Sequence, residues 1–95
     1  MARVQETTTL PGKSADAAYG AAESVLSAAG YQLTKRRPIA WLLLAHRQQA
    51  GGSIEVSFTA RPGPAAAVTL SLSSEELDEG GLKSEALHLL EELAK

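Results

Sequence analysis

The sequence predicts an α+β fold: a five-stranded antiparallel sheet in the order 1-5-4-3-2 with two helices packed on one face, β-α-β-β-β-β-α in a single domain. Three observations carry that prediction. Ile54, Val56, Phe58 and Ala60 alternate with Glu55, Ser57 and Thr59, and Val68, Leu70 and Leu72 alternate with Thr69, Ser71 and Ser73. Period-2 alternation makes each run a strand with one apolar and one wet face. Arg61-Pro62-Gly63-Pro64 between them is a turn, because proline fixes φ and lacks an N–H. Two further stretches, residues 15–29 and 82–93, carry apolar residues at helical spacing instead. Finally, the strands after the first helix are joined by short turns and form a meander. A hairpin is not stable alone, so the helices must cover its apolar face.

The first strand, residues 3–10, is polar and threonine-rich, with Val4 and Leu10 in phase with Glu6 and Thr8. That suits a sheet edge, where only part of one face is buried. Pro11-Gly12 ends it. Ser14 is placed to cap the first helix and Asp16 to sit at its positive end, while Gly30 is placed for a left-handed C-cap. The helix stripe is Ala18, Ala22, Val25, Leu26 and Ala29, with Tyr19 beside it. Its alanines and Gly20 allow a close, filled layer with no roomy pocket. Residues 31–35 alternate as the second strand, and Arg36-Arg37-Pro38 turns the chain.

In the third strand, residues 39–47, alternation fails. One face would carry Ile39, Trp41, Leu43 and Ala45, the other Ala40, Leu42, Leu44 and His46. Bulky apolar groups remain on whichever face the helices leave bare. Residues 48–53, with Gly51-Gly52, read as the loop into the hairpin. Residues 74–81 read as an acidic, glycine-terminated connection with at most one helical turn. Leu82, Ala86, Leu89, Leu90 and Leu93 then form the stripe of the second helix. A right-handed crossover through the first helix carries the chain from the first strand to the far edge of the sheet. The edges are then strands one and two, the second ending in Lys35, Arg36, Arg37 and Pro38, which discourage edge-to-edge pairing.

Composition removes several function classes. The chain has 95 residues, 44% of them hydrophobic, and no cysteine, so thiolate ligands, thiol nucleophiles and disulfides are excluded. No stretch approaches the ~20 apolar residues of a membrane span. The opening residues lack a signal-peptide profile. The chain therefore reads as soluble and cytoplasmic, as would an exported or lipid-anchored parent trimmed to this segment. Through Arg61 there are seven basic and four acidic side chains, and beyond it two basic and seven acidic. Neither half has the concentrated basic surface of a nucleic-acid binder.

The element order, Gly30-Tyr31 opening the second strand, and a hairpin followed by a C-terminal helix resemble the small helix-grip or TATA-binding-protein-like modules of bacterial accessory proteins. The resemblance is one of pattern along nearly the whole chain. It implies a fold and no site residue, since fold does not fix function.

Candidate chemistry is sparse. Glu85-x-x-His88 has the spacing of a carboxylate-bridged metal motif, but a second copy and further glutamates on facing helices are lacking. His46 reads as a surface residue at a strand end. None of the serines sits in a nucleophile elbow, residues 78–81 lack calcium-loop spacing, and Gly51-Gly52-Ser53 precedes a strand instead of a phosphate-binding helix. No catalytic residue, cofactor or metal site is predicted. Lys35, Arg36 and Arg37, with Arg47, form the one basic cluster and a candidate anion patch. Trp41, Leu42, Leu43 and Leu44 form the candidate interface, because an apolar patch on the outer face of a sheet marks a contact site. The expected function is a non-catalytic interaction or assembly module with a protein partner or a weak homodimer. The alternative is a binder of a small apolar ligand between helices and sheet.

Overall fold

Alternating side chains commit this chain to a sheet with one dry face, and the computed structural model, which describes residues 2–49, 52–63 and 65–94, shows how that face is covered. The elements are β1 (Ala2–Pro11), α1 (Ala15–Ala28), β2 (Gln32–Arg37), a 3-10 turn (Pro38–Ala40), β3 (Leu42–Gln49), β4 (Gly52–Arg61), β5 (Ala65–Ser74) and α2 (Glu79–Leu93). The strands lie in the order β1-β5-β4-β3-β2, every neighbouring pair antiparallel. This is the predicted α+β architecture. α2 covers β1 and β5, while α1 covers the strands from β5 to β2.

The core fills the space between the layers. From the sheet come Leu43, Val56, Phe58, Val68, Leu70 and Leu72; α1 supplies Ala18, Ala22 and Leu26, and α2 supplies Leu82, Ala86, Leu89 and Leu93. Register pairs Val56 with Leu72, Phe58 with Leu70 and Ala60 with Val68, so one face of the hairpin is continuous hydrocarbon.

The caps hold the helices in phase. Ser14 Oγ accepts from the Ala17 N–H at 3.1 Å. At the other end of α1, Gly30 takes φ +91°, its N–H donates to the Ser27 carbonyl, and the Tyr31 N–H donates to the Leu26 carbonyl. That pair of bonds is a Schellman motif, and it aims Tyr31 back under the helix.

Several boundaries differ from the sequence expectation. β3 begins at Leu42, not Ile39, because Pro38 cannot donate to the ladder and residues 38–40 wind into a 3-10 turn. Trp41 follows at φ +48°, off the strand. Arg36 and Arg37 are strand residues, paired with Leu43 and Leu42, and the turn starts after them. Gln48, Gln49, Gly52 and Ser53, expected in a loop, are paired across β3 and β4; the remaining loop positions, 50 and 51, lie outside the described residues. Gly80 and Gly81, expected to end a loop, open α2, because Asp78 caps the helix by accepting from the Gly81 N–H at 2.8 Å. Gly20 is exposed with open space where a Cβ would stand, so close helix packing rests on the alanines alone.

Candidate functional site

Both helices lie on one side of the sheet, so its other face is covered by no element among the described residues. Register lays out what that face presents. Arg3, Ser73, Glu55, His46 and Gln32 form one row across the strands; Gln5, Ser71, Ser57, Leu44 and Lys35 form the next. Thr7, Thr69, Thr59, Leu42 and Arg37 make the third row, and Thr9, Ala67 and Arg61 follow. The centre is therefore a field of small hydroxyls; Thr7 and Thr69 Oγ1 lie 3.3 Å apart. Leu42 and Leu44 form an apolar strip beside it, with Lys35 and Arg37 along the β2 edge. A depression of about 390 Å³ crosses the first two rows between Arg3, Leu44, Glu55, Ser57 and Ser71.

Electrostatics divides the molecule by layer. The open face carries Arg3, Lys35, Arg37 and Arg61 against Glu55, with Glu75 joining Glu55 and Ser73 around a depression at one end, and Glu55 Oε1 lies 3.1 Å from His46 Nδ1. The carboxylates of the second half lie in α2 and the loop before it. The charge asymmetry along the sequence thus becomes one between the two sides of the sheet.

The interface candidates are not brought together as a unit. Leu43 is fully buried in the core, at 0% exposure. Leu42 and Leu44 share the open face, half-buried, opposite Thr59 and Ser57. Trp41 leaves the strand, its indole N–H donating to Asp16 Oδ1 at 2.9 Å near the start of α1. Ile39, expected on the same strand, stands 95% exposed in the turn.

The basic candidates are likewise divided. Lys35 and Arg37 lie on the open face, and the bulge between Leu33 and Lys35 sets their phase. Arg36 faces the helix side, 3.5 Å from Glu23. Arg47 lies at the other end of β3 on the helix side, opposite Ile54.

There Arg47 joins a cluster that sequence reasoning missed. Its Nη2 lies 3.0 Å from Glu85 Oε2, its Nη1 donates to the Ala29 carbonyl at 3.1 Å, and its guanidinium stacks over the Tyr31 ring at 4.7 Å. The Tyr31 hydroxyl donates to the same Glu85 Oε2 at 2.7 Å. Burial, the bond to Glu85 and that carboxylate's charge push the Tyr31 hydroxyl above the ordinary tyrosine range, Arg47 opposing. The protonated phenol therefore acts as a fixed donor. One carboxylate oxygen takes both partners, which makes the cluster a clamp between α2, β3 and the end of α1. Glu85, half of the Glu85-x-x-His88 pair, is engaged in it. Nothing local announces the cluster, because its members are drawn from three distant segments and no periodicity links them. No group of three or more histidine, aspartate or glutamate side chains able to hold a metal occurs among the described residues. Nor is any described helix long and apolar enough to cross a membrane.

Fold and surface together define a two-layer α+β module with one sheet face turned to solvent. No protein-family model matches the sequence, and no curated protein matches it. The functional reading therefore rests on the chemistry of these surfaces.

Proposed function

We propose that this protein is a non-catalytic interaction module, that the open sheet face is its contact surface, and that its partner is a protein with an acidic surface. The observation that carries this reading is the uncovered field of hydroxyls beside Leu42 and Leu44, edged by four cations, with carboxylates only at one end, at Glu55 and Glu75. The leucines gain by leaving water, the hydroxyls are small groups whose hydrogen bonds a partner's polar atoms can replace, and peripheral cations steer an acidic partner into register. Face-to-face contact between two copies is disfavoured, since it brings like net charge together.

Capture from native lysate on three baits tests this: the wild-type chain, the Lys35→Glu/Arg37→Glu double variant, and Leu44→Thr. A partner held by the wild type, released by raised salt, lost on the charge-reversed bait and weakened on Leu44→Thr is the expected result. Equal capture on all three overturns the reading.

One observation favours a second reading, the binding of a small apolar ligand. An open groove of about 400 Å³ runs between α1 and α2, lined by Val25, Ala28, Ala29 and Leu89 among others. The layer between helices and sheet, where such a ligand was expected, is filled by Ala18, Ala22, Phe58 and Leu70. Saturable binding of an apolar fluorescent probe that Val25→Glu abolishes supports the groove; probe binding unchanged by Val25→Glu removes it.

A further inference from the structure

The two edges of this sheet are built differently. β2 is six residues long, bulged after Leu33, and charged at Lys35, Arg36 and Arg37, all devices against strand addition. β1 has ten residues in unbroken register with β5, and only Arg3 and Glu6 among them are charged. Its outer edge has no strand partner among the described residues, and alternate N–H and C=O groups point outward along such an edge.

We propose that a second copy of this chain occupies that edge, pairing β1 antiparallel with its counterpart about a two-fold axis at Thr7, so that α2 meets α2 at Leu87. Directly opposed residues in an antiparallel pair point to the same side, so the symmetric registers are those centred on a residue. Two of them overlap all but one residue of β1. The register centred on Glu6 sets that carboxylate against its own copy. The register centred on Thr7 sets Val4 opposite Leu10 on the helix side and Gln5 opposite Thr9 on the open side.

The helix above fits the same axis. α2 runs in the direction of β1: it follows Ser74, the partner of Ala2, and its last turn is tied down where Lys13 Nζ donates to the Leu93 carbonyl at 2.9 Å, just beyond Pro11. The middle of α2 therefore stands over the middle of β1. His88, Leu89 and Glu92 line the groove towards α1. At ~100° per residue, Lys83, Leu87 and Glu91 then lie on the outer flank, overhanging the edge. All three are exposed, Leu87 at 48%. The stripe is self-complementary, because reversal about Leu87 sets Lys83 opposite Glu91 and leucine against leucine. With strands ~4.8 Å apart and each α2 seated between β1 and β5, the two helix axes stand about 10 Å apart, a packing distance.

This inference does not depend on what the open face binds. The test uses the native chain, followed by sedimentation from micromolar to millimolar concentration. A concentration-dependent dimer is expected, weakened by about tenfold or more in Leu87→Lys, whose exposed position leaves the fold intact by circular dichroism. The chain has no cysteine, so a single introduced one reports geometry: Thr7→Cys should cross-link under mild oxidation, while Ser57→Cys, central on the open face, should not. A monomer at every concentration, a dimer indifferent to Leu87→Lys, or cross-linking at Ser57→Cys in place of Thr7→Cys overturns the proposal.

Discussion

Burial and the neighbouring Glu85 carboxylate both hold the proton on Tyr31, against the opposing charge of Arg47, and this has a consequence for stability at high pH. The folded state keeps the phenol neutral, whereas the unfolded chain releases the proton near the ordinary value of 10.0. The stabilising contribution is therefore complete below pH 10 and falls as the pH rises beyond it. Tyr31→Phe should cost about 1.5–3 kcal/mol near neutral pH in denaturant unfolding, the range for a bond to a charged acceptor. Its stability should also decline less steeply than the wild type's in alkali; parallel declines would assign the effect to other groups. Trp41 shows a different residue-level choice. A bulky side chain at φ +48° is strained, and it is held there by its bond to Asp16 and by the Ala60 N–H donating to its carbonyl at 3.1 Å. Neither arrangement was legible in the sequence. Glu85 lies 54 positions from Tyr31 and Asp16 lies 25 from Trp41, so propensity and periodicity are silent about both.

At the scale of elements, legibility followed the physical source of each boundary. The β4–β5 hairpin was readable because one dry face imposes alternation and two prolines interrupt it. The start of β3 was not, since the apolar run from Ile39 to Leu44 continues through a turn that only the missing proline N–H and the reach of Trp41 towards α1 create. The start of α2 was hidden by Gly80-Gly81, which read as a break until Asp78 supplied the cap. The apolar pattern of β3 left its inward face undecided; Leu43 and Ala45 take it. Leu43→Ala should accordingly cost about 2–5 kcal/mol, as other large-to-small core changes do. The paired Leu42→Thr/Leu44→Thr change should leave thermal stability far less affected and act on partner binding. If both unfold the chain, the open face is not a contact surface. In α1, Gly20 is exposed with free space around it. Gly20→Ala should therefore raise stability by about 0.5–1 kcal/mol through the entropy of the unfolded chain, read as a higher melting temperature.

On the scale of the whole molecule, register turns a sequence of weak charge into a body with two unlike sides. The meander places Arg3, Lys35, Arg37 and Arg61 on one side of the sheet, while α2 and its preceding loop carry the acids. Linear reading placed the division at Arg61 because β4 and β5 precede the acidic segment; the layers explain why it falls there. The same topology joins the first strand to the last, with Ala2 opposite Ser74 and Pro11 opposite Ala65. In kinetic terms, β1 must wait for a partner that is made more than fifty residues later, while the β3–β4 and β4–β5 hairpins close over short loops. Closing the longer loop costs more chain entropy before any contact rewards it. Substitutions such as Val4→Ala should therefore speed unfolding and leave the folding rate nearly unchanged, whereas Val56→Ala should slow folding. During synthesis, β1 leaves the ribosome well before the strand it pairs with, and the growing polypeptide carries it unpaired until β5 emerges.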